Sequence, residues 1–117
     1  MKYHVRNATS GALLGDSIDL AETSAQRAVG LLKHKGLEPG AGLWIVPCEG
    51  IHTFFMKFAI DVVFVDRKHR VRKVARAVKP WRLAFCLPAH SVIELPPGVI
   101  DETGTQKGDQ LEFQQCA

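Results

Sequence analysis

Two stretches of the chain place a thiol and an imidazole four residues apart: Cys48-Glu49-Gly50-Ile51-His52 and Cys86-Leu87-Pro88-Ala89-His90. Thiolate and neutral imidazole are preferred zinc ligands, so Cys48, His52, Cys86 and His90 form a tetrahedral set if they converge. On an extended strand each pair would be separated by about 13 Å, so each needs a turn; Pro47, Gly50 and Pro88 supply turn formers. The spacing is not the Cys-x-x-Cys knuckle, and a chain of 117 residues is long enough to fold without a metal. The expectation is therefore no metal, with these four residues as the outside candidates. Cys48 or His52, oriented by Asp61 or Glu94, also outlines a nucleophile–base–orienter set suited to acyl transfer or hydrolysis. The plainer reading makes Cys48 a small buried hydrophobe and His52 a hydrogen-bonded strand residue. No Gly-x-Ser-x-Gly elbow, phosphate loop or His-Glu-x-x-His helix accompanies them. No catalytic residue is assigned, and no cofactor is expected.

A third constellation suits binding better than reaction: Lys57, Asp61, Trp81, Arg82 and Glu94. Asp61 and Glu94 lie inside apolar runs, where a buried carboxylate is costly unless paired or hydrogen-bonded. Each is expected either to pair with a base such as Lys57 or Arg27, or to face a polar pocket. Trp81 beside Arg82 is a combination enriched at contact hot spots, although a Trp covering one end of a barrel explains it equally well. Phe54, Phe55, Met56 and Phe58 read as core.

The net charge is +3, but eight bases and no acid fall within residues 67–82, leaving seven bases against twelve acids elsewhere. Arg67, Arg70, Arg72, Lys73 and Arg76 are the anion-contact candidates of that block. It contains one aromatic, Trp81, and so lacks the interleaved rings that stack on bases. A solvated strand face is expected in preference to nucleic-acid contact. Three cysteines without a secretory leader in view read as free thiols and a cytoplasmic setting. No apolar stretch is long enough to span a bilayer, and no membrane partner is expected.

The elements that must hold these residues are short. Residues 2–6 and 12–20 read as strands flanking a turn-rich segment. Thr23-Ser24-Ala25-Gln26 has the form of a capping box opening a helix from about Ser24 to Lys33, which buries Ala28, Leu31 and Leu32 and stops before Gly36. Leu43–Val46 is a buried strand ended by Pro47. His52–Met56 and Ile60–Val65 are expected as strands, the second covered on both faces. Val71, Val74, Ala75 and Val78 fit helical spacing, yet the valines and the polar turn before them favour a strand and a hairpin. A loop is expected from Pro80 to Pro88, then a strand at Ser91–Leu95. Val99–Thr103 forms a helical turn ended by Gly104, and Lys107-Gly108-Asp109 turns into a last strand, Gln110–Phe113. The sum is one mainly β (α+β) domain over residues 1–117, a small barrel or sandwich of about seven strands and one short helix.

The run His52 to Val62, followed by Phe64 and Asp66, resembles the central signature of the bacterial and archaeal domain of unknown function family number 192. Arg27 with Gly30-Leu31 is similar to its helix motif, and Gly42-Leu43 to the strand that follows. Glu94-Leu95-Pro96-Pro97-Gly98 resembles its glutamate-leucine turn, and Lys107-Gly108-Asp109 its closing turn. The resemblance spans about residues 20–113 and departs at Ala59, where the family usually has proline. It implies a compact, mainly β fold and supplies no reaction, substrate or catalytic residue. The sequence thus reads as a non-catalytic ligand- or protein-binding module whose ligand, partner and oligomeric state it does not specify. A Cys/His-dependent hydrolase or zinc domain, and a weak anion or nucleic-acid binder, are the alternatives.

Overall fold

Ile60–Val65 is buried at all six positions, and the rest of the fold is arranged to cover it from both sides. The computed structural model describes residues 1–32 and 34–116, the side chain of Ala28 excepted. Within them run β1 (Lys2–Asn7), β2 (Leu13–Ala21), α1 (Ser24–Val29), β3 (Ala41–Ile45), β4 (Gly50–His52), β5 (Ile60–Val65), β6 (Val71–Val78), β7 (Leu83–Phe85), β8 (Ser91–Leu95), α2 (Val99–Thr103) and β9 (Leu111–Gln115). Seven strands form one sheet in the order β6-β5-β8-β3-β2-β1-β9, while β4 and β7 form a separate ribbon. Only β2 and β3 are parallel, and α1 lies in the crossover between them, as a parallel pair requires. The chain has the mainly β class expected of it, with two short helices rather than one.

Alternation along β5 sends Ile60, Val62 and Phe64 to one apolar cluster and Val63 and Val65 to the other. The second cluster joins Val5 and Leu111 from one side of the sheet to Val71 from the other, so the sheet curls around it. The curl nearly closes where Arg70 bridges Gln110. There the Val71 N–H donates to the Asp109 carbonyl at 2.8 Å and the Leu111 N–H to the His69 carbonyl at 2.9 Å. The first cluster lies on the outer face, under the β4–β7 ribbon and the segment after α1, with Leu31, Ile51, Met56 and Ala84 as its cover. Fully burying a Leu, Ile or Met side chain among these contributes roughly 1.5–3 kcal/mol.

The helix-like spacing in β6 has a structural cause. β5 and β6 change register between Ile60 and Val62 and again between Phe64 and Val65, with an extra β6 residue at each place. A bulge of this kind moves the alternation on by one. Val71 and Val74 therefore share one cluster, and Ala75 and Val78 the other.

Several expectations need correction. Helix α1 ends at Val29, with Gly30 as its cap, because Leu31 and Leu32 turn into the outer core; the expected burial of Ala28 and the helix end at Lys33 lie outside the described residues. The capping box is present, with the Gln26 N–H donating to Thr23 Oγ1 at 3.1 Å and the Thr23 N–H donating to Gln26 Oε1 at 3.1 Å. His52–Met56 is not a strand: only His52 belongs to β4, and the chain turns at Phe54 and Phe55. The expected loop from Pro80 to Pro88 contains β7, paired with β4. Phe55 is not core but 69% exposed.

Candidate functional site

The two carboxyls that looked alike in the sequence have opposite surroundings. Asp61 Oδ1 accepts the Ala77 N–H at 2.8 Å, and its Oδ2 accepts those of Gly98 at 3.1 Å and Ile100 at 2.9 Å. Among the described residues it pairs with no base; it pins the bulged end of β6 and serves the first turn of α2 as a carboxylate cap. Its role is structural, satisfied by three backbone donors.

Glu94 stands on β8, registered opposite Leu43 of β3 and Val62 of β5. β8 approaches β3 so closely that a Cβ on Gly42 would meet the Glu94 carbonyl oxygen at 2.6 Å, a packing reason for glycine there. The Glu94 side chain is on the outer face and only 4% of the residue is exposed. Among the described residues its carboxyl has neither a hydrogen-bond nor an ion-pair partner. Burial raises its pKa from 4.5 to about 7, since the charged form loses hydration that nothing replaces.

This carboxyl lines a cleft of about 400 Å³ between the end of α1, β3 and β4. Leu31, Leu32, Ile45, Ile51 and Met56 supply apolar walls, and Arg27, Cys48, Glu49 and His52 the remaining titratable groups. The Arg27 guanidinium is held on its own helix, donating to the Glu22 carbonyl at 2.7 Å. Cys48 Sγ donates to the Gly50 carbonyl at 3.0 Å. Burial pushes that thiol up from its ordinary value; the Gly50 bond and the Arg27 charge act against this, and the Glu94 charge adds to it. His52 is exposed and packs on Phe54, ring centroids 5.1 Å apart, rather than hydrogen-bonding to the thiol. A protonated thiol with no base in contact is not an activated nucleophile.

The two Cys-x-x-x-His segments do lie side by side: the Cys48 N–H donates to the His90 carbonyl and the Cys86 N–H to the Glu49 carbonyl, both at 2.9 Å. Their side chains diverge. Cys48 and His52 line the cleft, Cys86 lies beside Arg72 and Lys73, and the buried His90 Nδ1 has no partner. Among the described residues no three His, Cys, Asp or Glu side chains gather as a metal ligand set. All three cysteines are free.

Lys57 is exposed on the turn before β5 and Arg82 on the approach to β7. Thr53 ties these turns together, its hydroxyl donating to the Lys79 carbonyl at 2.6 Å and accepting the Arg82 N–H at 2.8 Å. Trp81 packs edge-on against Phe55 at 4.7 Å and remains 55% exposed, so it does not cap the barrel. Both aromatics have left-handed backbone, φ 67° and 66°, unusual for bulky residues. With Leu83, Phe85 and Leu87 they make an exposed apolar ridge along the β4–β7 ribbon. Of the five anion-contact candidates, Arg76 is bound to Asp101 at 2.7 Å and Arg72 to Asp66 at 3.6 Å. Lys73 donates to the Phe85 carbonyl at 2.7 Å. Arg67 and Arg70 stand exposed at the hairpin.

Sequence reasoning named Cys48, His52 and Glu94, and Arg27 as a base that could pair with Glu94; Arg27 does line the same cleft but bonds to the Glu22 carbonyl, and Gly30, Leu31 and Met56 were not foreseen there. The signal was present in the family-like pieces: three of them, far apart in the chain, each contribute to this cleft. The family model DUF192, described as Uncharacterized ACR, matches residues 5–113. A UPF0127 protein of Thermococcus sibiricus is 34% identical, the match covering 92% of this chain and 73% of that one. One from Pyrococcus furiosus is 29% identical over 92% of this chain and 95% of its own. A crystal structure from Novosphingobium aromaticivorans, a protein of unknown function, superposes with a TM-score of 0.82 at 25% identity, covering 96% of this chain and 84% of that one. Another, from Sinorhizobium meliloti, whose name proposes a transcription regulator, has a TM-score of 0.82 at 21% identity and covers 96% and 92%. The latter likeness is one of fold.

Proposed function

The chain belongs to the DUF192 family of uncharacterised proteins, and we propose that it is a non-catalytic binding module that takes a small ligand in the cleft over Glu94. The observation that supports this is Glu94, a residue only 4% exposed whose carboxyl is unpartnered among the described residues, on the wall of a cavity of about 400 Å³. Buried polar groups are normally satisfied, and a cleft of this size with apolar walls and a few convergent polar groups is the usual form of a small-molecule site. The thiol in the same cleft is held protonated and away from His52, which favours binding over nucleophilic chemistry. The name of the Sinorhizobium neighbour suggests nucleic acid instead, but two of the three cations on β6, Arg72 and Arg76, are held in ion pairs.

A fragment library screened by ¹H–¹⁵N correlation spectra tests the reading. Hits are expected to move the amides of Gly30, Gly50 and Ile51, and Ile51→Trp, which fills the cleft, is expected to abolish them in a folded protein. Hits that cluster elsewhere, or that survive Ile51→Trp, would overturn it.

A further inference from the structure

We infer that the cleft selects a small organic cation: a protonated amine on an apolar body, with the ammonium group against the Glu94 carboxylate. The inference rests on the cleft reading and names its ligand class. An ionised carboxylate offers acceptors only, and in a nearly dry site it needs donors or a positive charge. Among the described residues no donor or ion-pair partner contacts it, and the Arg27 guanidinium that also lines the cleft donates to the Glu22 carbonyl instead. Asp61, on the same sheet, receives three backbone N–H groups, so the fold is able to satisfy a carboxylate and leaves this one open.

The walls fit the rest of such a molecule. Leu31, Ile45, Ile51 and Met56 are apolar and buried, and they suit an alkyl or aryl body. An anion would meet the Glu94 charge with no compensating donor at the floor. A neutral carbonyl compound would be served by the protonated acid, and therefore would bind best at low pH; the cation binds best once the acid has ionised.

Other groups facing the cleft are Arg27, Cys48, Glu49 and His52. Glu49 and His52 are exposed, where solvent weakens their charges. Arg27 is held to the Glu22 carbonyl just before the helix, and burial is what raises the Glu94 carboxyl. His52 lines the same cleft, so it needs a control of its own.

Hexylamine, hexanamide and hexanoate share a body of one length and differ in head-group charge. Their affinities are measured by NMR titration between about pH 5.5 and pH 8.5. Hexylammonium is expected to be the tightest binder at the upper end, its affinity rising at least about tenfold across the range as Glu94 ionises. His52→Gln is expected to retain that rise, while Glu94→Gln flattens it and weakens hexylammonium at least about tenfold at the upper end. The parent chain's pH profile tests the inference without any variant. If hexanamide or hexanoate shifts the cleft amides more strongly, or the rise survives Glu94→Gln, the cation assignment fails while the cleft stands. If no head group shifts the cleft amides, the cation assignment fails; the cleft reading then stands or falls with the fragment screen.

Discussion

Glu94 carries its charge at a cost the whole fold should report. Its pKa is 4.5 in the unfolded reference and about 7 in the folded chain, so between those values the native state binds the extra proton. Stability therefore falls as pH rises through that window and stays reduced above it. The difference corresponds to something on the order of 3 kcal/mol. Glu94→Gln should remove the dependence, leaving the variant more stable than the parent by at least about 1 kcal/mol near pH 8 and not near pH 4. Urea unfolding at the two pH values checks this; equal stabilities at both would mean that the carboxyl is solvated. At this scale the sequence was legible in part. It marked Asp61 and Glu94 as acids in apolar runs, but three backbone donors from elements folded around Asp61 made one a structural cap, and the other is left without a partner among the described residues.

The elements that shape the cleft are individually weak. Helix α1 has only six residues, well below the length at which a helix persists alone, so its cap and its packing must hold it. Thr23→Ala should cost about 1 kcal/mol and, because Arg27 and Gly30 follow directly, should raise amide exchange along α1 before the sheet opens. Exchange that rises uniformly over the whole chain would show that α1 is not a separate unit. Strand β6 is the opposite edge problem. It stands at one end of the sheet, and its bulges and its Arg72 and Arg76 side chains are the features that keep an edge from pairing with another chain. Replacing both arginines by valine should give larger species than the parent in sedimentation velocity at equal concentration. An unchanged distribution would place the protection in the bulges alone. The basic block was plain in the sequence; its duty at an edge was not, because strand order is a property of the whole sheet.

The end of the first strand, the turn that follows it and the turn between α2 and β9 are joined through one buried side chain. Asn7 Nδ2 donates to Thr105 Oγ1 at 3.2 Å and to Asp109 Oδ2 at 2.9 Å, while its Oδ1 accepts the Thr9 and Ser10 N–H groups at 3.0 Å. Asn7→Ala orphans the Thr9 and Ser10 donors and leaves Asp109 with the Gln106 N–H at 3.0 Å. The expected loss is about 2–4 kcal/mol, with β1 and β9 losing protection together. A loss below about 0.5 kcal/mol, the range of an ordinary surface change, would mean that the curl does not depend on this junction.

What the sequence determined by itself was the set of local choices: the capping box at Thr23, the turn at Lys107–Asp109, the doubly covered strand at Ile60–Val65 and the strand at Val71–Val78 despite its helical spacing. Those follow from side-chain branching, backbone freedom and period, which neighbouring residues decide among themselves. The family-like pieces were also visible, as separate segments. Only the tertiary structure decided which residues share a space. The bulges in β6, the turn that exposes Phe55 and Trp81, and the cleft that gathers Arg27, Cys48, His52 and Glu94 depend on how distant segments pack. Burial without a described partner, which distinguishes Glu94 from the equally buried Asp61, arises only when α1, β3, β4 and β8 close around it.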